Sequence, residues 1–263
     1  MQAPKKLAVA GATGTVGHHV VDVLKNEGHD DVVGMSRSLG VHVVSGDGLA
    51  AALEGVECII DVATQPSPDQ EAATEFFTAA TRNLQEAGVR AGVQRMVVVS
   101  IIGCDRFTAG YLAAKAAHER VHLSGPIPVR ILRAAQVHEF VGPIVEWGRQ
   151  DGVSYVPNWR TQLVAARTVA QALAELATGP ESASAAGSSG TSIPEIAGPP
   201  EESLVEGAKL LASRRGEQVR IEGVNGFYPA DPDRELQESG ALLPGPDATL
   251  AGPTFEEWLD STS

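Results

Sequence analysis

Along the first half of the chain the apolar positions follow two alternating patterns. Short, nearly unbroken runs occupy residues 7–10 (LAVA), 31–35 (DVVGM), 41–44 (VHVV), 57–63 (ECIIDVA) and 94–102 (QRMVVVSII), each closed by a glycine, serine or threonine. Runs of this length mark strands covered on both faces, the condition of a parallel sheet. Between them the apolar residues recur at helical spacing: Val20, Val21 and Leu24 within 18–25, the apolar residues of 49–53, and a long segment over 70–87 with its stop at Gly88. Strands and helical segments in strict alternation predict a parallel, doubly wound α/β sheet with right-handed crossovers. A sixth strand is expected at 128–134 (PVRILRA), where Arg133 needs a partner if it is buried.

From His138 the pattern loosens. Residues 139–147 read as a short amphipathic helix, 154–156 as a short strand, 161–165 as a strand returning to the sheet, and 167–177 (RTVAQALAELA) as a clear helix. The stretch 179–192 (GPESASAAGSSGTS) has no large apolar side chain and reads as a mobile surface loop. Extended structure is expected at 193–197, a helix at 201–213 and a strand at 218–222. Residues 227–253, rich in Pro, Gly and Asp, should wrap a small lobe, and Thr254 should cap a last helix in which Phe255, Trp258 and Leu259 share a face. Residues 1–137 then form the main α/β unit, and 138–263 supply the remaining sheet elements and a C-terminal lobe.

Composition narrows the partners. Hydrophobic residues make up 43% of 263 and the formal net charge is -13, from 20 basic and 33 acidic side chains. That charge disfavours nucleic acid and anionic membranes, so a small molecule is the expected partner. No apolar stretch approaches the roughly 18 residues of a membrane span, and the N-terminus lacks a signal-peptide core, which predicts a soluble, cytoplasmic protein. Cys58 and Cys104 are too few for a disulfide framework, and no Cys/His cluster with metal-ligand spacing is read from the sequence; no metal is expected.

Two places carry candidate chemistry. Between the first strand and first helix lies GATGTVG, with Gly11, Gly14 and Gly17 three residues apart. In a dinucleotide site the first glycine allows a tight turn, the second lets backbone approach a pyrophosphate, and the third lets the helix pack closely, with the anion at the positive helix end. Thr13, Thr15 and Val16 complete that turn; the alternative is a glycine-rich connection with no ligand. At the second strand's end an acidic residue would hold the ribose 2′-hydroxyl of NAD, but Ser36 and Arg37 stand there. A guanidinium can fork onto a 2′-phosphate, which points to NADP(H) in preference to NAD(H); a solvated loop arginine is the alternative. Asp47, followed by Gly48, could touch the adenine or cap the next helix, and Ala63 and Thr64 should line the cleft. The second place is Ser100 near a strand end, with Tyr111 and Lys115 one turn apart on the following helix. An ammonium beside a phenol favours the phenolate and makes the tyrosine a usable acid or base.

GATGTVG, the strand-borne serine, YLAAK, the strand PVRILRAAQV and the closing TFEEWL together resemble the short-chain dehydrogenase/reductase superfamily, in particular its atypical, NmrA-like branch. The resemblance implies a Rossmann-type core with a small C-terminal substrate-binding lobe. It also implies that Ser100 orients a substrate carbonyl, Tyr111 donates the proton, and Lys115 binds the nicotinamide ribose while lowering the tyrosine pKa. The serine-to-tyrosine interval is slightly shorter than is usual in the family. Ala134 and Ala135 should pass under the nicotinamide, and Gln136, His138, Phe140, Trp147 and Trp159 are candidate substrate residues, with ordinary packing the alternative for each. His138 could also be a second acid/base group or a structural histidine. The expected function is NADPH-dependent reduction of a carbonyl or conjugated alkene of a small organic substrate. Redox-neutral dehydration, epimerisation or cyclisation and non-catalytic NADP(H) sensing are the alternatives.

Overall fold

The computed structural model describes residues 6–65, 69–179, 192–225 and 232–262. The expected Ser-rich loop lies almost entirely outside them. The first unit runs β1 (Leu7–Ala10), α1 (Gly17–Asn26), β2 (Val32–Met35), α2 (Leu49–Ala52), β3 (Cys58–Asp61), α3 (Gln70–Ala91), β4 (Arg95–Ile101), α4 (Gly110–Leu123) and β5 (Val129–Ala134). The C-terminal part contains α5 (Val141–Trp147), β6 (Arg149–Gln150), β7 (Val153–Pro157), β8 (Arg160–Thr161), α6 (Ala166–Thr178), β9 (Glu195–Ala197), β10 (Glu202–Ser203), α7 (Leu204–Arg214), β11 (Arg220–Val224), α8 (Arg234–Glu238), β12 (Thr249–Leu250) and α9 (Phe255–Thr262).

The main sheet has the order β12-β9-β5-β4-β3-β1-β2 and all its pairings are parallel. β1, β3, β4 and β5 are covered on both sides, whereas the edge strand β12 is exposed, and the side chains of β1 show the covering directly. Leu7 and Val9 join the core beneath α1 and α6, whereas Ala8 and Ala10 join the core beneath α2 and α3, as the two-residue period of a strand requires. This is the doubly wound sheet that the apolar runs predict. The chain leaves β1 for β2 on one side and crosses to β3 on the other, so the crevice beyond the carboxyl ends of β1 and β3 is the switch point where such sheets take ligands.

Three local expectations are corrected. Residues 41–44 form a turn rather than a strand: Gly40 and Gly46 flank them at φ 78° and 84°, and the carbonyls of Val43 and Val44 accept from the Asn83 side chain on α3 at 3.0 and 2.6 Å. With those acceptors satisfied by a side chain, the segment has no need of a strand neighbour. Gly88 does not end α3, which continues to Ala91 and stops at Gly92 with φ 78°. Gly88 is instead an interior contact, where a Cβ would lie 2.7 Å from Ile127 Cδ1. The expected strand 161–165 shrinks to β8, paired antiparallel with β10, while Val164 makes a lone parallel bridge to Val137.

The lobe has its own apolar centre, in which Val141, Ile144 and Val145 of α5 meet Leu204, Ala208 and Leu211 of α7 and Phe255 of α9. Thr254 caps α9 as expected, accepting from the Glu257 amide at 3.2 Å while Glu257 accepts from the Thr254 amide at 2.9 Å, the reciprocal bonding of a capping box. Leu112 of α4 packs on this lobe core. The lobe also grips the start of α4: the Asp233 carboxylate accepts from the Thr108 amide at 2.7 Å, the Thr108 hydroxyl at 3.0 Å and the Ala109 amide at 2.9 Å. An anion at a helix N-terminus satisfies amides that have no intrahelical acceptor. The helix bearing Tyr111 is thereby anchored to the lobe at its first turn.

Candidate active site

The glycine turn is built as its spacing predicts. Gly11 has φ 83°, and a Cβ there would lie 2.8 Å from the Val62 carbonyl oxygen. A Cβ on Gly17 would collide with the Gly11 carbonyl oxygen, so α1 packs against the turn only because that position is glycine. Gly14 meets only the Gly11 carbonyl oxygen, at 3.2 Å, and stands exposed with Thr13 and Thr15; Val16 is half-buried. The turn therefore opens at the positive end of α1, beside Val62 and Ala63 at the end of β3, a cradle suited to a pyrophosphate. Ser36 and Arg37 follow β2; Arg37 is exposed and opens a single 3₁₀ turn, and the Ser36 and Ser38 hydroxyls are 3.0 Å apart. Asp47 does not cap α2, whose N-cap is Gly48 without a side-chain bond; it accepts from the Ser45 hydroxyl at 2.7 Å. Ala134 and Ala135 are buried at the end of β5.

Tyr111 lies half-buried in the first turn of α4, with its hydroxyl 2.6 Å from that of Thr64 and its ring 5.7 Å from Phe77. Burial pushes the phenol above its usual pKa, and the Thr64 hydrogen bond opposes that rise. The expectation that Lys115 favours the phenolate is not met. Its ammonium turns inward, donating to the Val99 carbonyl oxygen at 2.9 Å, lying 2.9 Å from His118 Nδ1 and sitting 4.7 Å over the Phe77 ring. Burial brings its pKa down to about 8, against the pull of Asp61. Sharing a helical face with Tyr111 left the lysine a choice of partners, and the buried acceptors won it.

Ser100 is also placed differently from expectation. It is 2% exposed, and its Oγ lies 3.5 Å from Cys104 Sγ, inside a network that centres on Glu119 and Arg133 rather than on Tyr111. Arg133 finds the partner its position demands: Nε and one terminal nitrogen donate to the two oxygens of Glu119 at 2.9 and 2.7 Å, and Asp105 lies 3.1 Å away. Burial would raise the Glu119 pKa, but the Arg133 fork and the Ser100 hydroxyl hold it below the usual carboxylate range. Thr64, not Ser100, is the hydroxyl within reach of Tyr111.

A second buried cluster joins α4 to the end of β3. His118 and His122 stand one turn apart on α4 and both rings meet Asp61 at the end of β3. The signal was present as an i, i+4 histidine pair; its third member, 57 residues before His118, had none. Burial and the neighbouring Lys115 push His118 down to about 3, while the two imidazoles outweigh burial and hold Asp61 far below the usual carboxylate range.

A family profile described as NAD(P)H-binding matches residues 11–180. The chain belongs to the NAD(P)H-binding family. Members bind NAD(P)(H). Among curated proteins none matches. Among solved structures, a GDP-6-OMe-4-keto-L-xylo-heptose reductase from C. jejuni is 13% identical with a TM-score of 0.70, over 100% of this chain and 99% of that one. MoeE5 in complex with UDP-glucose and NAD is 18% identical with a TM-score of 0.67, over 98% and 100% of the two chains. A UDP-glucose 4-epimerase from Thermus thermophilus, in complex with NAD, is 18% identical with a TM-score of 0.62, over 98% and 92%. The fold of this NAD(P)H-binding protein is thus one shared by a reductase and an epimerase. Among the described residues no helix is long and apolar enough to cross a membrane.

The candidate substrate residues separate into two kinds. His138 is 1% exposed and packs against the rings of Phe255 and Trp258, each at 5.3 Å, and Trp159 is 8% exposed with its Nε1 donating to Gln237 at 2.8 Å. Both are packing residues of the lobe. Half-buried Gln136 accepts from the Thr161 hydroxyl, while Phe140 meets Trp147 edge-on at 5.7 Å and Trp147 is 58% exposed. Burial pushes His138 down to about 4, opposed by the Leu163 backbone, from an ordinary value of 6.5. Because the folded-state value is depressed, the unfolded chain takes up the proton first as pH falls. The stability held by the neutral ring is therefore present above pH 6.5 and lost on descent toward pH 4. His138→Phe is expected to flatten the decline of melting temperature between about pH 7 and 4.5, by the equivalent of up to about 3 kcal/mol. Parallel profiles for the two proteins would show that this ring's protonation does not govern acid stability.

Proposed function

We propose that this protein is an NADPH-dependent reductase of a carbonyl or conjugated alkene in a small organic substrate, with Tyr111 as the proton donor. The observation that carries the proposal is the Tyr111 hydroxyl held 2.6 Å from Thr64, three residues past the end of β3 and on the same sheet edge as the glycine turn. The resemblance to the NmrA-like branch supports the same assignment. NADPH, when bound, supplies the hydride that such a reduction needs. Gly11, Thr13, Gly14, Thr15, Val16 and Gly17 would hold its pyrophosphate, with Ala63 and Thr64 along the cleft and Ala134 and Ala135 beyond β5. Burial keeps the Tyr111 phenol protonated, which is the state required of an acid that delivers a proton to a developing alkoxide or enolate. The Thr64 hydroxyl offers a second hydrogen bond to the same oxygen, the part that the family resemblance gives to Ser100. Lys115 lies beneath and places a titratable amine under the site without touching the phenol.

Cofactor choice rests on Arg37. It is exposed at the end of β2, where the acidic residue of an NAD site is missing. A charge-assisted fork onto a 2′-phosphate is worth about 1.5–3 kcal/mol. Arg37→Ala is therefore expected to weaken NADPH about tenfold or more and to leave NADH nearly unchanged, as read by calorimetric titration of both. Equal losses would remove the arginine from the choice.

A redox-neutral reading has one support, the likeness of the fold to a UDP-glucose 4-epimerase. The deciding test is NADPH consumption over a panel of quinones, aldehydes, ketones and enones, with product analysis. Stoichiometric NADPH oxidation supports the reductase. NADPH binding with no consumption on any acceptor counts against it, and conversion of a sugar nucleotide without net oxidation would favour the epimerase-like alternative.

A further inference from the structure

The cluster of Asp61, His118 and His122 is independent of the reaction proposed above. Each of the three side chains is at most 2% exposed. The two histidine Nε2 atoms are 3.0 Å apart and lie 3.4 Å (His118) and 3.1 Å (His122) from one carboxylate oxygen, Asp61 Oδ2. The other oxygen, Oδ1, accepts from the Ala63 amide at 3.0 Å, which orients the carboxylate and leaves Oδ2 to the histidines. The His118 ring stacks on Phe77 at 4.5 Å, so its direction is set as well.

Protons alone serve this arrangement poorly. If Lys115 donates to His118 Nδ1, the neutral His118 carries its hydrogen on Nε2, and His122 must also donate from Nε2 to reach Asp61. Two N–H donors then point at one oxygen from positions 3.0 Å apart, with no acceptor between them. A cation removes the conflict, because all three atoms can offer lone pairs to it. The triangle has nearly the right size: ligands at about 2.0–2.1 Å from a tetrahedral ion stand roughly 3.3–3.4 Å from one another, against the observed 3.0, 3.1 and 3.4 Å. Histidines at i and i+4 share one helical face and can converge on a single ion.

We propose that Asp61, His118 and His122 form a buried binding site for a divalent transition-metal ion of the zinc class. Two imidazole nitrogens and one carboxylate oxygen make a ligand set that favours such an ion over calcium or magnesium, which take oxygen alone. Binding through Nε2 leaves the His118 hydrogen on Nδ1, so metal binding expels the ammonium proton of Lys115: the neutral amine then accepts from Nδ1–H and still donates to the Val99 carbonyl oxygen at 2.9 Å. The amine there takes the place that a carboxylate, a backbone carbonyl or water usually holds behind a metal-bound histidine. The site is closed to substrate by its depth, and a water would complete its tetrahedron as the fourth ligand. It ties the end of β3, and with it Thr64, to the helix that carries Tyr111.

The test uses the full-length protein, stripped by a chelator and then titrated with Zn²⁺ and, separately, with Co²⁺. One ion per chain is expected by elemental analysis, with a rise in melting temperature on adding Zn²⁺ and the visible absorption of tetrahedral Co²⁺. Asp61→Asn keeps the hydrogen bond from Ala63, and His122→Asn removes one ring; each should weaken Zn²⁺ by about 100-fold or more, whereas His42→Asn, on the exposed turn, should change nothing. If the variants fail to fold, the wild-type titration decides alone. A folded wild type that holds below about 0.1 ion per chain and shows no Zn²⁺-dependent melting shift overturns the proposal. Undiminished Zn²⁺ affinity in folded His122→Asn overturns it too, by placing the ion elsewhere. Because every readout is metal content, spectrum or stability, failure here leaves the reductase reading untouched.

Discussion

Tyr111→Phe is expected to leave fold and NADPH affinity nearly intact while lowering turnover by roughly 10²–10⁴. The substitution removes one hydroxyl. The ring remains to pack near Phe77, and the Thr64 hydroxyl it abandons is on an exposed residue that water can satisfy, so little stability is at stake. What disappears is the only phenol at the mouth of the switch point among the described residues, and with it the proton that the alkoxide or enolate must receive. Binding and rate should separate. The measurement pairs calorimetric NADPH titration with initial rates on the best acceptor from the panel, for wild type and variant. An active wild type whose rate survives the substitution would leave the protein an enzyme and take Tyr111 out of its mechanism.

The second large effect concerns stability. Removing one partner of a buried ion pair leaves an uncompensated charge, at a cost of about 3–5 kcal/mol. Arg133 and Glu119 are 12% and 6% exposed and joined by two hydrogen bonds. Arg133→Met should therefore lower the melting temperature by roughly 6–20 °C, taking about 2–4 °C per kcal/mol for a chain near this size. Cys104 and Ser100 cannot rescue Glu119, because a thiol and a hydroxyl bring no positive charge. The double variant Arg133→Met/Glu119→Leu removes both charges and should recover a large part of the loss, since apolar replacements of a buried pair are often neutral. Thermal denaturation of both variants provides the check. A single variant within about 1 kcal/mol of wild type would show that water already screens the pair.

Several features could be read from the chain because they depend on local spacing or on burial. Nearly unbroken apolar runs such as residues 57–63 and 94–102 have little solvent face to spare, and that alone implies a sheet covered on both sides. Gly11 and Gly17 were legible for a steric reason, as any side chain would strike backbone there. Arg133 announced its need for a partner, although only the fold could name Glu119. Tertiary structure decided what periodicity does not record, namely which way a polar side chain turns and what stands opposite it. Thr64 reaches Tyr111 across 47 residues, Lys115 chooses the Val99 carbonyl and His118 over the phenol, and Asp61 closes a triangle with two histidines of another element. The turn at 41–44 follows the same logic, since its valines look like a strand until Asn83 takes their carbonyls. A hydrophobic pattern reports only whether a position faces water. The partner of a buried polar group is set by strands and helices that meet only when the sheet is assembled.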